Sequence, residues 1–484
     1  MFTGQSINLS KQERVRWFLL ILLVKLVWLL LFTWLRNPEW NPKLAVGTIG
    51  LYGGDTQTYY YPVEQLIETG QYYGMCRMPG VLPVYWPLRQ FMNLELAQQV
   101  IVILQVLFDS LATLLLAILA ARLFQRKSAF TAAIFLSCAT TFVSLRSMYL
   151  LSDSLCISAL ITSVFFLYQF LSENRKSQLV YAGIFLAWSI FLRQISLLAI
   201  PVTGLILLHH FRSSWTKAIT AGLILAIPLA VSLSAWTVRN KITYNRWVVL
   251  VPPLNECMKH YTDDFAAIRS LIIAMGEDYQ PWSAGSAADW FFRQPIAHTT
   301  NTPFEESQYT SAMQLSDLHK LRDDYRTLTD SVITPSKYDS LSASVTNRAQ
   351  LFKASYENEH AFDFHIMNRI RFLKQFFFPA RIDDIPFPAA NRMNILQKAI
   401  KAWSLVSLWL IHLAGFISIL IFCIKKNWSV VLFAFLPLSF TLALGWMGFI
   451  EQRYLATSFP FFIVLIAGAI GEVLKETNKK EQIA

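Results

Sequence analysis

The sequence lacks the short motifs that mark several classes of enzyme. Its eight histidines and five cysteines form no HExxH or CxxC pair, and it contains no GxxxxGK[ST] loop. Such motifs supply zinc ligands or hold nucleotide phosphates. Metalloprotease, structural zinc and nucleotide-hydrolysing functions are therefore without support. We expect no cofactor and no metal ligands, and the sequence leaves open whether the protein requires a metal.

Cysteine is scarce, and most of it lies in apolar stretches. Cys138, Cys156 and Cys423 fall within such stretches, where cysteine packs as a small apolar residue. Only Cys76 and Cys257 lie outside them. These two can form a disulfide in an oxidising compartment, although no spacing pattern indicates it.

Charge is also scarce, whereas long hydrophobic runs are abundant. Charged residues make up 15% of the chain, hydrophobic residues 54%, and the mean hydropathy is +0.40. Runs long enough to cross ~30 Å of hydrocarbon recur along the chain. We predict an all-α polytopic membrane protein with about ten transmembrane helices. The predicted spans are 17–35, 97–121, 129–147, 150–171, 178–192, 195–211, 218–236, 403–424, 429–448 and 455–473.

The distribution of charge predicts the orientation. Of the 42 Lys and Arg and 31 Asp and Glu in the chain, the segment 240–402 holds equal numbers, so the net +11 lies in the membrane part. With both termini inside, every cytoplasmic end is basic, as the positive-inside rule requires. We therefore predict a multi-pass protein of the inner, cytoplasmic membrane whose first span is an uncleaved anchor. This orientation signal also accounts for the basic charge without nucleic acid as a partner.

Three parts follow from this topology. Residues 1–239 form an N-terminal bundle with a first outer loop, 36–96; residues 240–402 form a large extracytoplasmic loop; residues 403–484 form the C-terminal transmembrane helices. Short juxtamembrane helices are expected at 62–69, with Pro62 in the first turn and Gly70 at the end, and at 83–92. The large loop is expected to be mostly helical, over 305–331 and 340–374.

Two charges fall well inside predicted spans, away from the span ends, where charge is costly. Lys25 and Asp109 lie at comparable depth in the first and second spans. We expect them to neutralise each other, which requires no substrate.

Other charges gather at the outer ends of spans or in the loop above them. They are Asp55, Arg77, Arg146, Asp153, Arg193, Arg239 and Arg453. Each arginine taken alone can snorkel to headgroups or pair with a carboxylate. Five arginines at one depth, on the side that the orientation rule disfavours, indicate an anion to be held.

A lipid-linked phosphate is the simplest anion at this depth, because guanidinium matches phosphate oxygens with two parallel hydrogen bonds. If the phosphate carries a sugar, it is also the leaving group of a glycosyl transfer, and arginines stabilise the charge that develops on it. Asp55, which follows Gly53-Gly54 and precedes several tyrosines, is placed to take the proton of an acceptor hydroxyl. The alternative for Asp55 is a cap on the helix that follows.

These residues carry a resemblance to a known superfamily. Asp55 followed by Tyr59, "RMPG" at 77–80, Arg193 before a proline-containing span, "WTVRN" at 236–240 and "RYLATSFP" at 453–460 resemble the integral-membrane glycosyltransferases of the GT-C superfamily, in particular the protein O-mannosyltransferase and aminoarabinose-transferase group. The resemblance covers the chain up to about residue 255 and again from about residue 403.

The resemblance implies an inverting transfer from a polyprenyl-phosphate sugar donor, with Asp55 as the catalytic carboxylate. It implies that Asp153 orients donor or acceptor. The acceptor, a lipid, glycan or protein, stays open. Members of the group commonly carry an acid pair where Asp55 stands alone. The predicted substrate-binding set is Tyr59, Arg77, Arg146, Asp153, Arg193, Arg239, Asn240, Arg453 and Tyr454.

Two other functions remain as alternatives. A transporter or flippase of a lipid-linked intermediate would also be apolar and would also hold a phosphate, but transporters usually place their site near the midplane between repeated halves, and no internal repeat is visible here. A polysaccharide polymerase or ligase with a lipid-pyrophosphate donor would use the arginines without necessarily using Asp55.

Overall fold

The computed structural model describes residues 9–36, 49–74, 76–252, 261–281, 285–294, 302–330, 334–379, 382, 385–388, 391–448 and 451–481. Within these ranges the chain is helical and has no strand, only two isolated bridges, Leu51 with Tyr149 and Thr310 with Met313. The predicted class, an all-α polytopic membrane protein, is confirmed.

The α-helices of the described residues are numbered here in chain order. They are α1 (Lys11–Leu35), α2 (Thr56–Thr69), α3 (Leu82–Phe91), α4 (Leu94–Phe124), α5 (Lys127–Ala139), α6 (Thr141–Ser144), α7 (Asp153–Glu173), α8 (Lys176–Leu192), α9 (Ala199–His210), α10 (Trp215–Tyr244), α11 (Asp263–Ala274), α12 (Ala287–Phe292), α13 (Leu315–Asp330), α14 (Pro335–Glu359), α15 (Asn368–Phe377), α16 (Ile395–Ile424), α17 (Trp428–Trp446) and α18 (Phe459–Glu481).

Each predicted span coincides with apolar helix. In the described part of the chain, α1, α4, α7, α10, α16 and α17 are long and apolar enough to cross a membrane. A bent pair, Lys127–Ala139 and Thr141–Met148 at 56°, makes a seventh if it is one span. Shorter apolar helices occupy Lys176–Leu192, Gln194–His210 and Phe459–Leu474, where the other three spans are predicted. How many helices cross the bilayer stays a prediction.

The chain forms two compact units. The first contains Met1–Val251, Phe377–Thr441 and Gln452–Ala484, and the second contains Pro252–Phe376 and Leu442–Glu451. In the second unit, α11 to α15 surround their own apolar core, in which Trp290 and Phe291 are buried. Of the helices predicted there, the first begins only at Leu315, and the second runs from Pro335 with a π-helical turn at Asp363–Met367. The topological division at 239 and 402 stays a prediction.

The two juxtamembrane helices predicted between the first two spans are present as α2 and α3. Gly70 ends α2 in the left-handed conformation, with φ of 72°. The prediction that Pro62 lies in the first turn is wrong. The helix α2 begins at Thr56, so Pro62 lies inside it. The helix begins earlier because the Thr56 and Thr58 amides donate to the carbonyls of Gly53 and Asp55, which starts a helical turn before the proline.

A salt bridge holds α2 against α3. Arg89 donates from Nη2 to Oε2 of Glu64 at 2.8 Å, and the Tyr85 hydroxyl donates to Oε1 of the same carboxylate at 2.5 Å. A charged pair with a further hydrogen bond is stronger than a neutral contact. Because Asp55 lies at the start of α2, the Glu64–Arg89 pair also fixes the helix that carries Asp55.

The buried charges of the first two spans are paired, as predicted. Lys25 Nζ donates to Asp109 Oδ2, and each residue is 3% exposed. Breaking a buried ion pair leaves one uncompensated charge, whereas replacing both partners by apolar residues is often neutral.

We therefore expect Lys25→Met to lower the free energy of unfolding by about 3 to 5 kcal/mol. The double variant Lys25→Met/Asp109→Leu should recover most of this loss. Thermal unfolding of the detergent-solubilised protein measures both. If the single and double variants are equally destabilised, burial of a lone Asp109 is not the cause.

Candidate active site at the start of the first juxtamembrane helix

The segment before Asp55 is fixed to the segment before Asp153. The Leu51 amide donates to the Met148 carbonyl at 2.9 Å, and the Leu150 amide donates to the Leu51 carbonyl at 2.8 Å. Gly53 lies so close to Leu151 that a Cβ atom at this position would approach Leu151 Cδ1 to 2.9 Å. The two acids therefore lie at the ends of adjoining segments.

The Asp55 side chain pairs with arginines instead of capping its helix. Asp55 occupies the N-cap position of α2, but its side chain makes no capping hydrogen bond. Its Oδ2 lies 2.9 Å from Arg453 Nη1, and its Oδ1 lies 3.3 Å from Arg77 Nη2. The capping alternative left open by the sequence is therefore not what the side chain does.

Arg77 reaches Asp55 because the turn that follows it packs tightly on the end of α8. A Cβ atom at Gly80 would lie 2.4 Å from the Leu192 nitrogen, so only glycine permits this approach. The Trp188 indole also donates to the Gly80 carbonyl at 2.9 Å. This packing brings the "RMPG" turn beside the helix end that precedes Arg193.

Arg193 ends α8 and pairs with the second acid. Its backbone is extended, with φ of −151°, which stops the helix at Leu192. Its Nη2 donates to Asp153 Oδ2, and both side chains are buried. The guanidinium carbon lies 5.8 Å from the ring centre of Tyr59 and 5.7 Å from that of Tyr454.

Asp55, Asp153, Arg77, Arg193 and Arg453 therefore form one cluster, together with the rings of Tyr59 and Tyr454. We refer to these seven residues as the Asp55 cluster. Arg77 lies 4.6 Å over the Tyr59 ring and Arg453 lies 5.4 Å from the Tyr454 ring centre. Among these seven residues, three guanidinium groups face two carboxylates. Guanidinium groups gathered in this way suit an anionic ligand.

The arginines hold Asp55 in its ionised form. Burial raises the pKa of its carboxyl group, but Arg453, Arg77 and Arg193 together outweigh burial, and the pKa lies below the ordinary value of 3.8. Because this pKa is depressed in the folded protein, the ionised carboxylate stabilises the fold above pH 3.8, and that contribution is lost as the pH falls through the lowered pKa.

We expect this ionisation to leave the pH dependence of kcat/KM flat through the neutral range, with an acid limb only below pH 3.8. In Arg453→Ala the limb should move upward, because the first of the opposing charges is gone and burial remains. Initial rates as a function of pH measure both. If the wild type showed an acid limb near neutral pH, the reaction would be controlled by another group, or by an Asp55 whose pKa is not lowered.

The remaining predicted site residues lie in other surroundings. Arg146 is 2% exposed, and its guanidinium carbon lies 5.1 Å from the ring centre of Phe142. Arg239 lies within α10, which continues past the predicted span end to Tyr244. Its side chain donates to Asn240 Oδ1 at 2.9 Å, and Asn240 in turn donates to the Val248 carbonyl. The contacts described for these residues do not join them to Asp55.

Arg239 is surrounded by aromatic rings. Its guanidinium carbon lies 5.0 Å from the ring centres of Trp236 and Tyr244 and 5.6 Å from that of Tyr72. Trp236 also packs edge-on against Tyr72. Contacts of this kind with aromatic rings stabilise the positive charge of Arg239.

Sequence reasoning missed one polar residue of the site, Thr58. Its hydroxyl accepts a hydrogen bond from Arg77 Nε at 3.0 Å. Its position one helical turn after Asp55 was a usable signal, because residues i and i+3 share one helix face. Within the described ranges, no group of three or more His, Cys, Asp or Glu is placed to hold a metal ion.

Cys76, in the turn beside Arg77, is disulfide-bonded. Cys257, whose pairing with Cys76 the sequence leaves open, lies outside the described residues.

Part of the chain matches a known protein family. Residues 81–236, less than half of the chain, match the family described as dolichyl-phosphate-mannose-protein mannosyltransferase. The matched region contains Asp153 and Arg193 and begins after Asp55 and Arg77. No curated protein matches the sequence.

Solved structures give a second comparison, with an archaeal protein. The Archaeoglobus fulgidus oligosaccharyltransferase tethered to an acceptor peptide with the NVT sequon is similar over 98% of this chain and 51% of that one, with a TM-score of 0.53 and 11% identity. The archaeal oligosaccharyltransferase AglB from Archaeoglobus fulgidus, in complex with an inhibitory peptide and a dolichol-phosphate, is similar over 97% of this chain and 52% of that one, with a TM-score of 0.51 and 12% identity. The chain thus spans about half the length of these neighbours. At 11 and 12% identity this likeness shows a shared fold alone; the family match over residues 81–236 agrees with the resemblance stated from the sequence.

Proposed function

We propose that the protein is a membrane glycosyltransferase of GT-C type. In this proposal it transfers a sugar from a polyprenyl-phosphate donor to an acceptor hydroxyl at the outer face of the membrane. The observation that carries the proposal is the Asp55 cluster, in which the Asp55 carboxylate pairs with Arg453 and Arg77 and the charge of Arg193 also lowers its pKa. Support comes from the matched family, described as dolichyl-phosphate-mannose-protein mannosyltransferase, and from fold neighbours described as oligosaccharyltransferases, one of them in complex with a dolichol-phosphate.

The proposed reaction assigns one role to each charge. Asp55 accepts the proton of the acceptor hydroxyl as its oxygen bonds to the anomeric carbon. The bond from that carbon to the phosphate oxygen breaks, and the phosphate leaves with the bonding electrons. Arg77, Arg193 and Arg453 stabilise the negative charge that develops on it. Attack opposite to the leaving group inverts the anomeric carbon.

Donor binding would also make Asp55 a better base. In the unliganded site its lowered pKa makes it a weak proton acceptor, because Arg453 and Arg77 hold its charge. A phosphate that engages the same arginines draws part of their charge away from the carboxylate and adds a negative charge nearby. Both effects raise the proton affinity of Asp55 when donor is bound, toward the range that suits a general base.

Asp153 and the two tyrosines act as positioning residues in this scheme. Asp153 holds Arg193, whose guanidinium group is near the rings of both Tyr59 and Tyr454. A buried arginine with a paired acid loses little freedom when it binds a phosphate, which favours preorganised stabilisation of the leaving group. The predicted roles of Arg146, Arg239 and Asn240 in substrate binding would lie outside this cluster.

An apolar groove in the first unit is suited to the prenyl chain. Its cavity volume is about 460 Å³, and its walls come from the turn after Arg77, from α8 before Arg193 and from the middle of α10. The lining residues are Pro79, Gly80, Pro83, Val84, Ile184, Phe185, Ala187, Trp188, Phe191, Pro228 and Ser232. Two of its three walls thus lead along the chain to arginines of the cluster, so a lipid tail there would direct its phosphate toward them.

Membrane orientation and acceptor choice complete the proposal. The basic ends of the spans favour cytoplasmic termini and an extracytoplasmic site in the inner membrane. Residues 240–402 would select the acceptor, because loops on a rigid scaffold usually carry specificity.

Identification of the co-purified lipid tests the proposal. The protein is purified in mild detergent, and lipid extracts from the wild type and from Arg453→Ala are compared by mass spectrometry. A prenyl monophosphate or its sugar conjugate, enriched in the wild type, is the expected result. A prenyl pyrophosphate glycan would favour the polymerase or ligase alternative, and absence of any prenyl lipid from both would argue against a lipid-linked donor.

A further inference from the structure

We propose that Thr58 is a positioning residue that fixes the guanidinium of Arg77 for phosphate binding; the inference rests on the proposed function. Thr58 lies in the first turn of α2, three residues after Asp55. Its hydroxyl donates to the Asp55 carbonyl at 2.7 Å and accepts from Arg77 Nε at 3.0 Å. It therefore connects the main chain of the proposed base with a side chain of the proposed phosphate site.

The direction of these hydrogen bonds is set by chemistry. A hydroxyl has one proton to donate, and the Asp55 carbonyl can only accept it. The oxygen lone pairs are then left for Arg77, which can only donate. Thr58 thus has one possible arrangement, and in it the hydroxyl is oriented toward Nε of Arg77.

The hydrogen bond to Thr58 decides which N–H donors of Arg77 are available to a phosphate. Nε is held by Thr58, one face lies over Tyr59 at 4.6 Å, and Nη2 is 3.3 Å from Asp55 Oδ1, a long separation for an ion pair. An arginine without such a restraint tends to form two parallel hydrogen bonds with a carboxylate. Closing on Asp55 in this way would consume the donors that a phosphate needs. Thr58 holds Arg77 in the open arrangement.

Three variants on α2 test the inference. Thr58→Val keeps the shape but removes the hydroxyl, and Thr58→Ser keeps the hydroxyl. Thr69→Val is the matched control, because Thr69 lies at the exposed end of the same helix, where its hydroxyl donates to the Gln65 carbonyl and accepts from the Gln71 amide. Each protein is assayed for donor KM and kcat, and for binding of a fluorescent isoprenyl phosphate.

Thr58→Val should weaken probe binding and raise donor KM about tenfold, the value expected for losing a hydrogen bond to a charged group. Its kcat should fall less than its kcat/KM. Thr58→Ser and Thr69→Val should both remain close to wild type. Rescue by serine separates orientation of Arg77 from a general loss of helix stability.

The outcomes separate this inference from the proposed function. Wild-type binding by Thr58→Val, or equal losses in Thr58→Val and Thr58→Ser, would overturn the inference alone, provided that Asp55→Asn is inactive. A wild-type protein that neither binds the probe nor transfers sugar would overturn the proposed function, and this inference with it.

Discussion

Replacing Asp55 with asparagine is expected to reduce sugar transfer about a thousandfold, the typical contribution of a general base. The amide has the size of the carboxylate but cannot take the acceptor proton. Donor binding should persist or tighten, because Arg453 and Arg77 lose the charge that holds them, 2.9 and 3.3 Å away. Initial rates and titration with an isoprenyl phosphate probe measure the two effects separately.

The control for the lost carboxylate is Glu173→Gln. Glu173 ends α7 and pairs at 3.6 Å with Arg175, whose side chain is 71% exposed, so this change removes one acid from a surface pair outside the Asp55 cluster. It should leave both measurements unaltered. Wild-type transfer by Asp55→Asn would exclude Asp55 as the base. Parallel loss of transfer and probe binding would indicate a structural role for the Asp55 charge.

The fold class was predictable because its cause is local. Hydrophobic runs of sufficient length must become helices in a bilayer, since every backbone polar group there needs an internal partner. The pairing of Lys25 with Asp109 follows from similar reasoning. Burying two opposite charges at the same depth of the membrane costs less free energy when they are paired than when they are separate. Both expectations required only the order of residues along each helix.

The composition of the Asp55 cluster was only partly predictable. The sequence places Asp55 and Arg77 in one loop, but Arg453 belongs to the segment before α18, far along the chain. Which arginine reaches the acid depends on how helices distant in sequence pack, and tight contacts such as Gly80 on Leu192 decide this. Charge at equal depth alone selected five arginines, of which three surround Asp55.

Arg239 shows that hydropathy alone does not predict where a helix ends. The hydrophobic run ends near residue 236, yet α10 continues as helix to Tyr244, so the arginine projects from a helix instead of ending one. Aromatic residues on both sides in the sequence then surround it. Pro62 shows a related limit, because polar backbone contacts at Thr56 and Thr58 started α2 before the residue that usually marks a first turn.

Replacing Arg453 with alanine is the second change with a large expected effect. Among the arginines that lower the pKa of Asp55, Arg453 has the largest influence, and it forms the shorter of the two described ion pairs with that carboxylate. Loss of one preorganised donor to a developing charge typically costs about a hundredfold to a thousandfold in rate. We expect kcat/KM for the donor to fall by about a hundredfold, with weaker binding of the isoprenyl phosphate probe.

Arg453→Lys separates charge from geometry. Lysine keeps the positive charge but not the planar pair of donors, so it should restore the low pKa of Asp55 better than it restores donor binding. Arg175→Ala, which removes an exposed arginine, is the control and should alter neither quantity. The acceptor KM should stay near wild type in all three variants, because the lost contact is to the donor phosphate. Full rescue by lysine would mean that Arg453 acts as a point charge, and an equal rise in both KM values would place its contact outside the phosphate.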